Sequence, residues 1–172
     1  HTSFFTTEVA EAIAGADHTF YTFEGIKPFG NGALHLPSIC FDEPLALEIA
    51  RGCSALLVVH GCRGDDERIY LGGLDASLQR RIRASLRAAG FKTAEREGIL
   101  GRHPSNLCNR CPNGTGVQIE LSARLRRTLF GHATGPAPGC SRQPLQSLVR
   151  ALRSVLEALV GGGLTSRRHP SP

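Results

Sequence analysis

The stretch "LLVVHGCRG", Leu56 to Gly64, decides how the rest of the chain is read. Four consecutive apolar residues suffice for a buried strand, and they end at a histidine followed by glycine. Two readings are open: a strand that delivers a metal ligand, or an ordinary core strand capped by a buried histidine. The predicted strand is "SALLVVH", ending at His60. On its amino-terminal side, "EPLALEIARG" is a helix opened by Pro44 and closed at Gly52. On its carboxyl-terminal side, a charged loop leads to a shorter strand in "RIYLGG" and then to the amphipathic helix "DASLQRRIRASLRAAG". There Asp75 is the expected N-cap, Leu78, Ile82 and Leu86 fall four apart, and Gly90 is the stop.

The same reasoning covers the flanks. "TTEVAEAIA", Thr6 to Ala14, is a short helix with Gly15 as its stop, and "HTFYTFEG", His18 to Gly25, alternates aromatic and polar residues as a strand does. "FKTAER" and "GVQIELS" are further predicted strands, separated by the polar loop "GRHPSNLCNRCPNGTG". "ARLRRTLF" is a helix, and after a Gly/Pro-rich linker "PLQSLVRALRSVLEALV" is a longer one with a leucine face. Strands alternating with helices predict an α/β sandwich around a largely parallel sheet, one domain over residues 1–160 with a flexible tail over 161–172. Functional groups in such sheets collect at the carboxyl ends of strands. His60 lies at one such end and Glu120 near another.

Composition narrows the function. With 41% hydrophobic and 20% charged residues among 172, the chain reads as a globular domain rather than a disordered one. No apolar run approaches the roughly 20 residues needed to cross a bilayer. The net charge of +5 favours an anionic partner. Nucleic acid is disfavoured, because aromatic residues are only 6% and the arginines are scattered. "CNRC" (Cys108 to Cys111) has no second CxxC to complete a four-cysteine zinc site, which leaves a disulfide or two free thiols. His35 with Asp42 is expected to shape a pocket or orient a ligand, or else the two are a surface histidine and a capping aspartate.

Three stretches, "LHLPSICFDEP", "VVHGCRGDDERIYLGGLD" and "HPSNLCNRCPNGTGVQIELSARLR", together resemble the poly-γ-glutamate hydrolases of phages and bacteria, zinc peptidases similar in fold to metallocarboxypeptidases. The likeness runs from about Thr6 to Phe130 and more loosely into the helix after Pro144. It implies a three-layer sandwich with a mixed, largely parallel sheet, and a monomer acting on a polyanionic γ-glutamyl polymer or acidic peptide. It also implies a zinc cofactor with His60 as a metal ligand, Glu120 as the general base, and Asn109 and Arg110 as the substrate-carboxylate grip. The chemistry suits those residue types. A carboxylate beside a water can take its proton and pass it to a departing nitrogen, and an arginine fork matches a carboxylate through paired hydrogen bonds.

The family's early "HGGxIE" stretch, source of its first two zinc ligands, does not occur in these residues. The expectation is therefore a chain truncated at its amino terminus, lacking those ligands and the first core strand. Two functions follow: a zinc-dependent hydrolase of γ-glutamyl amides, or an inactive remnant that binds acidic polymer without cleaving it.

Overall fold

The computed structural model describes residues 5–26, 29–30, 36–98, 101–131 and 143–163. Its elements in chain order are α1 (Thr6–Ala14), α2 (Pro44–Gly52), β1 (Leu57–Cys62), β2 (Ile69–Gly73), α3 (Ala76–Ala88), β3 (Thr93–Ala94), β4 (Val117–Ser122), α4 (Ala123–Phe130) and α5 (Gln143–Gly163). The four strands form one sheet in the order β1-β4-β2-β3. β1 runs parallel to β4 and β2 parallel to β3, while β2 and β4 are antiparallel, so the sheet is mixed and mostly parallel.

Side-chain alternation sorts the sheet into two unlike faces. Val117, Ile119 and Leu121 of β4 and Ile69 and Leu71 of β2 enter the main core, with Leu57 and Val59 of β1 packed against it. Helices cover this face: Val9 and Ile13 of α1, the Leu78–Ile82–Leu86 stripe of α3, Leu125 and Leu129 of α4, and Leu148 and Leu152 of α5 all join the same cluster. The opposite face carries Val58, His60 and Cys62, then Gln118, Glu120 and Ser122, then Tyr70, and a 3-10 turn at Leu107–Asn109 packs near it together with α2.

The helices begin where short-range chemistry directs. Asp75 accepts from the backbone N–H of Leu78 at 2.8 Å, as an N-cap should. Glu43 caps α2 by accepting from Leu45 and Ala46, and Tyr21 donates its hydroxyl to the same carboxylate at 2.7 Å. That contact holds Glu43 below the usual carboxylate range, chiefly through the Ala46 N–H, while burial and Glu43 push Tyr21 up to about 12.

Four expectations are corrected. "HTFYTFEG" has no ladder partner among the described residues and is not a strand. Its aromatic residues are anchored one at a time, Tyr21 on Glu43 and Phe23 edge-on to Phe41, so the alternation does not reflect a sheet face. β1 does not stop at His60 but continues through Gly61 to Cys62. The strand in "FKTAER" is only Thr93–Ala94. Residues 161–163 continue α5 rather than beginning a tail; residues 164–172 lie outside the described residues, as does His35. No helix among the described residues is long and apolar enough to cross a membrane.

β1 and β4 differ in surroundings. Five of six β4 residues are buried, whereas every β1 residue is only half-buried, because β1 has β4 on one side and no strand on the other among the described residues. Ile119→Ala should therefore cost about 2–5 kcal/mol of stability, and Val58→Ala less than about 1 kcal/mol. Urea denaturation of both variants checks this, and equal losses would contradict the edge placement of β1.

Candidate active site

Register places the chemistry. His60 is directly opposite Glu120 across the parallel β1–β4 pair, and Glu120 is directly opposite Tyr70 across the antiparallel β4–β2 pair. Cross-strand partners project to the same face with neighbouring strands about 5 Å apart. Imidazole, carboxylate and phenol thus stand in one row on the polar face. His60 and Glu120 both line a cleft of about 1270 Å³ that follows β1. The opening question of the sequence has its answer here: the residues around His60 are apolar because Leu57 and Val59 serve the core, and His60 points to the other side.

Ser38 Oγ lies 3.3 Å from His60 Nε2 and helps orient the ring. Glu120 is half-buried, and burial pushes its carboxyl up to about 7, with Arg126 and Arg96 pulling the other way. Burial also raises the Cys62 thiol, with Glu120 adding to the rise and Arg96 and Arg126 opposing it. Arg126 is itself buried on α4 and donates to the carbonyls of Leu121 and Cys62. Its guanidinium occupies the space that a Cβ at position 61 would need, at 2.8 Å from Cζ, which explains the glycine after His60.

The loop before β4 is fastened by Asn109. Its Oδ1 accepts from Leu74 and Gly116, and its Nδ2 donates to the carbonyls of Gly101 and His103, so the amide is committed to four backbone groups. Arg110 donates through Nε to the Ser105 carbonyl at 3.1 Å. Neither residue lines the cleft; Arg102, His103 and Asn106 of the same loop do. Gly116 lets the loop close, because a Cβ there would lie 1.9 Å from the Cys108 carbonyl oxygen. Cys108 and Cys111 are buried free thiols, with Cys111 donating to the Thr115 carbonyl at 2.8 Å. The structure therefore brings His60 and Glu120 together and sets Asn109 and Arg110 apart from them. Tyr70, Arg96 and Ser38 are residues of the site that the sequence alone does not single out. The repeat of one residue in two along "RIYLGG" was the available signal for Tyr70.

A catalytic zinc needs three protein ligands and an open position. The described residues do not supply that set: His60 is a single imidazole beside a hydroxyl, and no three His, Cys, Asp or Glu side chains gather as a metal site among them.

Fold and site together define an α/β protein whose mixed sheet presents a carboxylate and an imidazole to one broad cleft. Residues 4–143 match the family model for poly-gamma-glutamate hydrolase, and the chain belongs to that family. It is 34% identical over 129 residues to the UPF0714 protein YndL of Bacillus subtilis (strain 168), covering 73% of this chain and 51% of that protein. It is 30% identical over 132 residues to the SPbeta prophage-derived UPF0714 protein YoqZ of the same strain, covering 75% and 48%. The chain thus spans about half the length of these relatives. Among solved structures, it resembles the bacteriophage poly-gamma-glutamate hydrolase with a TM-score of 0.81 at 27% identity, covering 90% of this chain and 77% of that one. Zinc-free YndL gives a TM-score of 0.78 at 29% identity, covering 87% and 76%. The three-layer, zinc-peptidase-like architecture expected from the motifs is the one found.

Burial of Glu120 carries a stability consequence. Folded, it keeps its proton to about pH 7, against an ordinary value of 4.5. Between those limits the folded state binds more protons than the unfolded state, so stability falls as pH rises through the window and stays reduced above it. Glu120→Gln should raise the melting temperature by several degrees above pH 7 and change little near pH 4. Calorimetry across that range measures it, and a variant that melts lower than the parent at pH 8 would contradict the burial.

Proposed function

We propose that this protein hydrolyses γ-glutamyl amide bonds in poly-γ-glutamate or a similar acidic polymer, with Glu120 as the acid–base group. The observation that carries the reading is the row His60–Glu120 on one sheet face, both side chains lining a cleft of about 1270 Å³. Family membership and the phage hydrolase likeness support it. A carboxyl group held near pH 7 suits both halves of the reaction. It takes a proton from water as the oxygen attacks the amide carbonyl, and it returns that proton to the departing nitrogen. Burial keeps both the proton-accepting and the proton-donating form of the group populated near neutral pH. His60, oriented by Ser38, presents its imidazole beside the same reaction space.

Zinc dependence enters the proposal through His60 alone. The zinc-free form of YndL associates the metal with that relative, and a site in this protein requires further donors from outside the described residues. The net charge of +5 draws a polyanion toward the cleft, and added salt weakens that attraction.

Release of glutamate oligomers from poly-γ-glutamate by the parent chain, His60→Ala and Glu120→Gln tests the assignment, with zinc supplied throughout. The expected result is turnover by the parent and a loss of about 100-fold or more in Glu120→Gln, with His60→Ala also impaired. Equal turnover in all three, or polymer bound by the parent without any cleavage, would contradict it.

A further inference from the structure

Arg96 stands beside the candidate active site, where its charge acts on Glu120, and it forms no salt bridge among the described residues. Arg68 pairs with Asp66, Arg83 and Arg102 share Glu95, and Arg124 pairs with Glu67. The Arg96 guanidinium instead lies 5.7 Å from the centroid of the Tyr70 ring, and Nη1 donates to the Arg63 carbonyl at 3.2 Å. Those two contacts come from opposite sides. Tyr70 is on β2, Arg63 directly follows β1, and β4 runs between these strands. The guanidinium therefore hangs over the carboxyl end of β4, on the face that carries Glu120. Arg126, the other cation near Glu120, is buried, donates to backbone carbonyls and packs against Gly61 on the core side. Arg96 is exposed; its guanidinium donates to the Arg63 carbonyl and hydrogen-bonds the Cys62 side chain beside Glu120, which leaves further N–H groups of its five for a ligand.

The covalent structure of the polymer gives this position a meaning. In a γ-linked glutamate chain, the carbon bearing each amide nitrogen also bears a free carboxylate. A carboxylate therefore always lies within two bonds of the nitrogen to be released. In an α-linked chain, the free carboxylate is at the far end of a flexible side chain. A cation fixed next to the acid–base carboxylate meets the first arrangement and misses the second. The stacking contact with Tyr70 reduces the ordering needed on binding, because the fork is already held.

We propose that Arg96 takes the carboxylate adjacent to the scissile nitrogen and so selects γ-linked over α-linked glutamate chains. The inference rests on the γ-glutamyl reading above and adds the residue that sets linkage preference. Arginine suits the role better than lysine, since its planar fork pairs with both carboxylate oxygens.

Fluorescence anisotropy of the full 172-residue chain with labelled short oligomers of γ-linked and of α-linked glutamate, equal in length, provides the test. The parent should bind the γ-linked oligomer more tightly. Arg96→Gln should weaken that binding about tenfold or more and remove the preference, and Arg96→Lys should fall between the two. Arg80→Gln removes the same charge from the outer side of α3 and should lower affinity for both oligomers slightly and equally, through lost steering alone. Thermal melts matching the parent confirm that the exposed substitutions leave the fold intact. Parent binding with Arg96→Gln indistinguishable from Arg80→Gln would overturn the role of Arg96 and leave the γ-glutamyl reading standing. No binding of either oligomer by the parent would overturn that reading and this inference with it.

Discussion

The parallel ladder between β1 and β4 is the constraint on which everything else depends. Its register sets His60 against Glu120 and, in the same step, turns Leu57, Val59, Val117, Ile119 and Leu121 to the helices. A slip of one residue would bring a core residue opposite His60 and send the polar set into the apolar layer. The surroundings guard against that slip. Val117 donates to the Leu56 carbonyl at the start of the ladder, and Asn109 ties Gly116 to Leu74 at the same end. At the other end, Ser122 both caps α4 and accepts from Arg68. The polar row is held between two fastened ends of one strand.

Under the proposed acid–base role, stability and function pull in opposite directions at Glu120. A carboxyl group half-buried on the polar face weakens the fold whenever it is ionised. The core beneath it, with Ile119 and Leu121 fully buried, is what lets the sheet carry that cost. Arg126 and Arg96 reduce it from opposite sides, one from beneath the strand ends and one from above. The site is thus a balance between burial, which brings the acid into the range where it can exchange protons at neutral pH, and nearby cations, which keep it from becoming permanently neutral.

Elements whose sequence signal comes from their own residues were legible. α1 and α3 lie where Val9–Ile13 and Leu78–Ile82–Leu86 fall on one side and where Gly15 and Asp75 mark an end. His60 and Glu120 were legible through the motifs around them, and their placement on one face follows from β-sheet period alone. What failed depended on partners distant in sequence. The alternation in "HTFYTFEG" mimics a strand because Tyr21 and Phe23 each meet a separate anchor near α2. The resemblance implies Asn109 as part of a substrate-carboxylate grip, and its four bonds to the backbone of Gly101, His103, Leu74 and Gly116 become visible only once the loop closes. Arg96 follows a two-residue strand and carries no periodic signal; its position over Tyr70 exists only once β2 and β3 are paired.

The central claim is that the side chains at 60 and 120 share one cleft. Labelling Glu120 with carbon-13 at its carboxyl group and following its chemical shift against pH, in the parent and in His60→Ala, measures that most directly. The account predicts a midpoint near 7 in the parent and a carboxyl chemical shift altered once the imidazole across the ladder is gone. A midpoint near the ordinary value of 4.5, with a chemical shift unmoved by the substitution at His60, would contradict it.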